Sequence, residues 1–149
     1  MKAFSYSLAP VLQSREAAEL GRQMRMAAVV SELKEARTLL QRLKEDLRRG
    51  VSLHEGLAGR QVSGHELQVH LRCRDRAEHR EERQAREVAR LEGLLEQARS
   101  ELEKAMLDRK TLEKARHREH SEWRKRVHRE EQILTDEIAG IGAARRGIL

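Results

Sequence analysis

The sequence predicts an all-α fold: two long helices in an antiparallel coiled-coil hairpin, the second helix longer and overhanging the first. Three observations carry this. Ala, Glu, Lys, Leu and Arg supply 89 of the 149 residues, above the roughly 50% typical of coiled coils and long helices. Pro10 is the only proline, so nothing beyond the first turns forbids helix on that account. Apolar positions step by threes and fours over two long stretches, with a glycine cluster between them. Aromatic side chains normally supply much of a globular core, and here they are Phe4, Tyr6 and Trp123 alone. Buried surface must therefore come from Leu, Ala and Val stripes along helices.

In chain order, the first helix is marked by Val29, Leu33, Ala36, Leu40, Leu43 and Leu47, a coiled-coil stripe. It runs into Gly50, Gly56, Gly59 and Gly64. Each glycine costs a helix about 1 kcal/mol, so the cluster marks the connection. Ser63-Gly64-His65-Glu66 restarts the helix as an S-x-x-E capping box, with Val62 and Leu67 at the hydrophobic-staple positions. The second stripe is Leu67, Leu71, Ala85, Val88, Leu91, Leu95, Ala98, Leu102 and Ala105. It continues through Leu112, Ala115, Glu119, Trp123, Val127, Glu130, Leu134 and Ile138, before Gly140 and Gly142. The expected organisation is a single hairpin over 1–149. Helix 1 covers about 4–49 or a few turns further, a connection about 50–62, helix 2 about 63–139, and 140–149 form a flexible tail.

Charge alternates in sign along these helices, as at Glu45/Arg49, Glu82/Arg86 and Glu122/Arg126. The net is +6, unevenly placed. Residues 1–50 carry 10 Lys/Arg against 6 Asp/Glu, residues 104–149 carry 12 against 8, and residues 51–103 carry 9 against 11. An antiparallel hairpin brings the two basic ends together. Cys73 is the only cysteine, which excludes an internal disulfide and fits a reducing compartment. No apolar run approaches the ~20 residues of a membrane span.

The sequence has no phosphate-cradling glycine loop, no C-x-x-C and no G-x-S-x-G. His117 and His120 stand i,i+3 without a Cys, and read as solvated helix histidines rather than metal ligands. A two-helix hairpin also lacks the concave pocket that catalysis needs. The expectation is no enzyme, no cofactor, no metal and no small-molecule substrate.

Two mismatches point to partners instead. If the turn centres near residue 60, position i faces about 121 − i, and the first residues reach only His117. Helix 2 then overhangs by ~20 residues, or ~30 Å, with Trp123, Val127, Leu134 and Ile138 uncovered and Arg126 among the flanking cations; if the first residues reach further, Phe4 and Tyr6 cover Trp123 instead. Nearer the turn, "RCRDRAEHREERQ" (72–84) has almost no apolar residue at stripe positions, yet lies opposite Leu40, Leu43 and Leu47. Such a mismatch marks a different register, a mobile segment or a surface for another protein, and on the last reading these leucines form a second candidate docking surface.

The opening stretch, "FSYSLAPVLQSREAAE", has the outline of a signal peptide, but Ser5, Ser7 and Pro10 break its apolar run and no A-x-A-like site follows Leu12. It resembles instead the start of the flagellar type III export protein FliJ family: aromatic, x, aromatic, x, Leu, an apolar pair, then Arg and Glu. Here these are Phe4, Tyr6, Leu8, Val11, Leu12, Arg15 and Glu19. The segment "RKTLEKARHREHSEWRKRVHREEQILTDEIA" is similar to the family's C-terminal region through Leu112-Glu113-Lys114, Arg116, Arg118, Trp123, Arg129 and Asp136-Glu137-Ile138-Ala139. The chain departs from the family pattern in having Trp123 where Tyr is commoner, and His70 and Leu71 where aromatics are common.

The resemblance implies a cytoplasmic protein, peripheral at the inner-membrane export apparatus. Its implied partners are the export ATPase hexamer, the membrane-embedded export gate and export chaperones. The implied role is a non-catalytic stalk whose terminal end enters the ATPase ring, with Phe4, Tyr6, Leu8, Leu12 and Arg15 joining Trp123, Arg126, Val127 and Leu134 as partner-binding residues. Two other readings stand beside it. A homo-oligomeric scaffold would pair the exposed stripes with copies of themselves. A nucleic-acid binder would need cations on one face without acidic partners, and interleaved aromatics; neither pattern was found, so no nucleic acid is expected.

Overall fold

The computed structural model describes residues 3–147 and contains two helices, α1 (Ala9–Leu57) and α2 (Gly64–Arg146). They pack against each other as an antiparallel helical hairpin, as the stripes predict. The residue contacts cluster in two units. Unit 1 comprises the first twenty residues with 104–149, and unit 2 is Gly21–Glu103.

The element ends differ from the periodicity reading, each for a local reason. Residues 3–6 are not helical, Ser7 and Leu8 form a turn, and Ala9 N–H donates to the Tyr6 carbonyl. Helix thus begins at Ala9 rather than near Phe4. Pro10 sits in the first turn, where its missing N–H costs no intrahelical bond. At the other end, α1 continues through Gly50 and Gly56, because Val51, His54 and Leu57 remain half-buried and packing outweighs propensity. Only Gly59 acts as the stop. Its φ of 111° is a conformation that side chains with a Cβ avoid, and Arg60 N–H beside it donates to the Leu57 carbonyl. The connection is therefore residues 58–63, not 50–62.

The restart follows the capping box in full. Glu66 N–H donates to Ser63 Oγ at 3.2 Å, and Ser63 N–H donates to the Glu66 carboxylate at 3.3 Å. Gly140 and Gly142, expected to end α2, lie inside it. Neither has a positive φ, and Ala143, Ala144, Arg145 and Arg146 are strong helix formers that carry the last turn. Residues 140–146 are thus helical rather than a flexible tail; the last two residues of that expected tail lie outside the described residues.

Unit 2 holds an apolar core of Leu33, Ala36, Val88 and Leu91, with Leu40, Leu94 and Leu95 packed against it. Ala98 is also buried. Arg22 and Arg25 reach Glu101, and Arg37 reaches Glu92 at 2.8 Å. Gln84 Nε2 donates to the Ala36 carbonyl. In unit 1 the buried residues are Tyr6, Leu12 and Glu19. Leu12, Glu19, Met26, Leu33, Leu40 and Leu47 stand seven apart, so Glu19 occupies a core position of the α1 heptad.

Candidate protein-docking site

Unit 1 is built around polar and aromatic contacts. The Glu19 carboxylate accepts from Arg109 Nε, while Arg109 Nη1 donates to Glu113 at 2.7 Å. Arg109 stands in the α2 series Val88, Leu95, Leu102, Arg109, again a core position. Hydrogen bonds to Glu19 first, and to Glu113 second, hold the Arg109 guanidinium above its ordinary pKa. An ion pair inside an apolar stripe favours this register, because a slip by one heptad would leave Arg109 facing Leu12 or Met26.

Toward the terminus, the Tyr6 hydroxyl donates to the Leu112 carbonyl at 3.2 Å and Arg15 pairs with Asp108 at 3.1 Å. Beyond them is an aromatic cluster. Phe4 meets His120 edge-on at 4.9 Å and Trp123 at 5.8 Å, and His120 stacks on Trp123 at 5.7 Å. Trp123 is therefore half-buried beneath Phe4 and not an uncovered overhang residue. The reason is geometric. Residues before Ala9 are not helical, and a non-helical residue can span up to about 3.3 Å against about 1.5 Å in a helix, so Phe4 passes His117 and arrives at His120 and Trp123. Ala3, Phe4, Trp123, Arg126 and Val127 line a groove at this point.

The candidate residues accordingly divide. Tyr6 and Leu12 are interior to unit 1, with relative exposures of 7% and 4%. Phe4, Trp123 and Val127 are half-buried, Leu8 and Arg126 are exposed, and Arg15 is exposed but ion-paired. Leu134 is 60% exposed, as are its neighbours Ile133, Ile138 and Ile141 to similar degrees. Those four form an apolar strip on α2 beyond the aromatic cluster. The basic excess of unit 1 resides in α2: among the first twenty residues Lys2 and Arg15 are offset by Glu16 and Glu19.

Leu40, Leu43 and Leu47 are half-buried in unit 2, and Leu40 packs on its apolar core. Leu47 lines a cavity of about 280 Å³ with Gly50, Leu53, His70 and Cys73. Within the charged stretch opposite, Arg74 pairs with Glu78 and His79 lies near Asp75, while Glu82 pairs with Arg86 just beyond it. Sequence reasoning missed the Glu19–Arg109–Glu113 set and the role of His120. The signal for the first was present, since both Glu19 and Arg109 interrupt apolar heptads.

Fold and site together define an all-α hairpin whose distinctive chemistry is concentrated in contact surfaces. Among the described residues, no helix is long and apolar enough to cross a membrane. The chain belongs to the FliJ family: the family model described as Flagellar FliJ protein matches residues 4–147. Membership makes it a component of flagellar protein export, in a non-catalytic family that interacts with the export apparatus. Comparisons with curated proteins and with solved structures returned no match.

Proposed function

We propose that the chain is a stalk of the flagellar export machinery, working at the cytoplasmic face of the inner membrane. Its terminal unit inserts into the export ATPase ring, and the chain links that ring to the membrane-embedded export gate and handles export chaperones. The observation that supports this is the composition of the end of α2. The Phe4–His120–Trp123 cluster is flanked by Arg124, Lys125, Arg126 and Arg129, and is followed by the exposed strip Ile133, Leu134, Ile138 and Ile141. Aromatic and arginine anchors beside desolvatable apolar surface are what binding hot spots are made of. Cations around them steer the end toward an acidic lumen more than they add affinity.

The spacing of Leu134, Ile138 and Ile141 also suits pairing with a second copy, which is the scaffold reading. Light scattering separates the two. A stalk is monomeric alone and joins the ATPase in a complex with fewer stalks than ATPase subunits. A scaffold self-associates without the ATPase. Leu134→Ser with Ile138→Ser should leave melting unchanged, since both side chains are exposed, and should weaken ATPase association at least tenfold, as truncating hot-spot anchors does. Unchanged association would remove the strip from the interface.

A further inference from the structure

Residues 51–103 contain nine basic side chains, all of them arginine. Among the described residues, Arg74, Arg86, Arg90 and Arg99 pair with acidic neighbours on α2. Arg72, Arg76, Arg80 and Arg83 are exposed and make no ion pair. Helical spacing gathers these four on one face. At about 100° per residue they fall within an arc of roughly 80°, over ~17 Å of helix. The acidic residues of the same stretch, Asp75, Glu78, Glu81 and Glu82, all lie off that arc. Arg76, Arg80 and Arg83 with His79 and Arg86 line one shallow, open surface.

One apolar side chain accompanies the arginines: Val69 falls on the same arc and is 46% exposed.

We infer that this face of unit 2 is a docking surface for an anionic lipid bilayer. Guanidinium groups bind phosphate oxygens bidentately and shed water more readily than ammonium groups do. A row of unpaired arginines matches a flat lattice of phosphate headgroups, and Val69 on the same arc matches the layer just beneath it. A single-stranded nucleic acid would be met by aromatic side chains for stacking, and unit 2 contains none. An acidic peptide would be met by a groove, and this face is open. The surface lies in a different unit from the terminal docking site, so the inference does not depend on insertion into an ATPase ring.

The test is sedimentation of the full-length protein with vesicles. It should bind phosphatidylglycerol-containing vesicles and not pure phosphatidylcholine, and binding should fall as salt rises from 0.1 M to 1 M, where the screening length shrinks from about 10 Å to about 3 Å. Changing Arg72, Arg76, Arg80 and Arg83 together to Gln should weaken binding by about fivefold per charge removed. Circular dichroism checks that helix content is retained. A control variant with the same charge loss, Arg116, Arg118, Arg124 and Lys125 to Gln, should bind nearly as the parent does. An environment-sensitive dye on the exposed Cys73 should shift blue with the anionic vesicles. The inference is overturned if the parent ignores those vesicles, if the control variant loses as much as the quadruple variant, or if soluble polyglutamate or single-stranded RNA displaces the vesicles as effectively as added anionic lipid.

Discussion

The two units solve the same packing problem with different chemistry. Unit 2 interlocks small and branched apolar residues, and Leu33 and Leu91 are each only 2% exposed. Unit 1 has few such residues and relies on the buried Glu19 with Arg109, the Tyr6 hydroxyl and the aromatic cluster. Apolar knobs fit several neighbouring registers almost equally well, whereas a slip of the buried pair by one heptad strands Arg109 against an apolar side chain. The comparison assigns stability chiefly to unit 2 and alignment of the paired segments chiefly to unit 1.

The largest expected effect lies in unit 2. Leu91→Ala removes a side chain packed in the Leu33–Ala36–Val88 core and should cost about 2–5 kcal/mol, read by thermal or urea unfolding. Leu43→Ala, at a half-buried position, should cost less. If Leu43→Ala matches Leu91→Ala in stability and leaves every partner affinity unchanged, the near-turn leucines are core alone.

Replacing both Glu19 and Arg109 with Leu should have the opposite signature. Well-packed apolar replacements of a buried pair are often neutral or stabilising, so melting should hold or rise. Alignment should suffer: spin labels at exposed positions 16 and 110 should give one distance in the parent and a broadened distribution in the variant. A single sharp distance in the variant would show that the apolar stripes set the register unaided. Glu19→Gln alone should destabilise, because it strips a charged partner from Arg109.

Local signals were legible in the sequence and long-range geometry was not. The Ser63–Glu66 capping box could be read because its donors and acceptors lie within four residues of each other. The Leu33/Ala36 and Val88/Leu91 stripes were legible because helical period alone aims them at one face. Phe4 on Trp123 could be named from the sequence only as an alternative to an open overhang, since its reach depends on residues 3–6 being non-helical, which no periodicity reports. Gly50, Gly56, Gly140 and Gly142 misled because propensity is a weak term that packing or good neighbours overrule, while Gly59 alone takes the positive φ. Family membership was legible from both ends of the chain, and the interior arrangement of Glu19 with Arg109 was not, because charged residues were read as surface.

A smaller effect tests the connection. Ser63→Ala removes the acceptor of the Glu66 amide and should cost about 0.5–2 kcal/mol in unfolding experiments. Glu66→Ala removes the reciprocal bond. The double variant should lose less than the sum of the two, since either change already opens the box.

The smallest expected effect is pH dependence at the surface, and it again separates the units. In unit 2, Glu87 accepts from Arg90 Nε at 2.8 Å and Nη2 at 2.6 Å, and those bonds hold its carboxyl below the ordinary carboxylate range. A depressed folded-state pKa gives stability that is present above the unfolded value, about 4.3, and is lost as pH falls through the folded value. Both groups are substantially exposed, so solvent screening keeps the contribution slight. In unit 1, Arg109 titrates above its already high ordinary value, so its contribution is constant from acid to moderately alkaline pH. Melting temperatures of the parent and Glu87→Gln should therefore differ slightly near neutrality and converge as the solution is acidified below the ordinary carboxylate range. Parallel curves down to strong acid would show that the Glu87–Arg90 pair contributes nothing through charge, and would leave unit 2 resting on its apolar core alone.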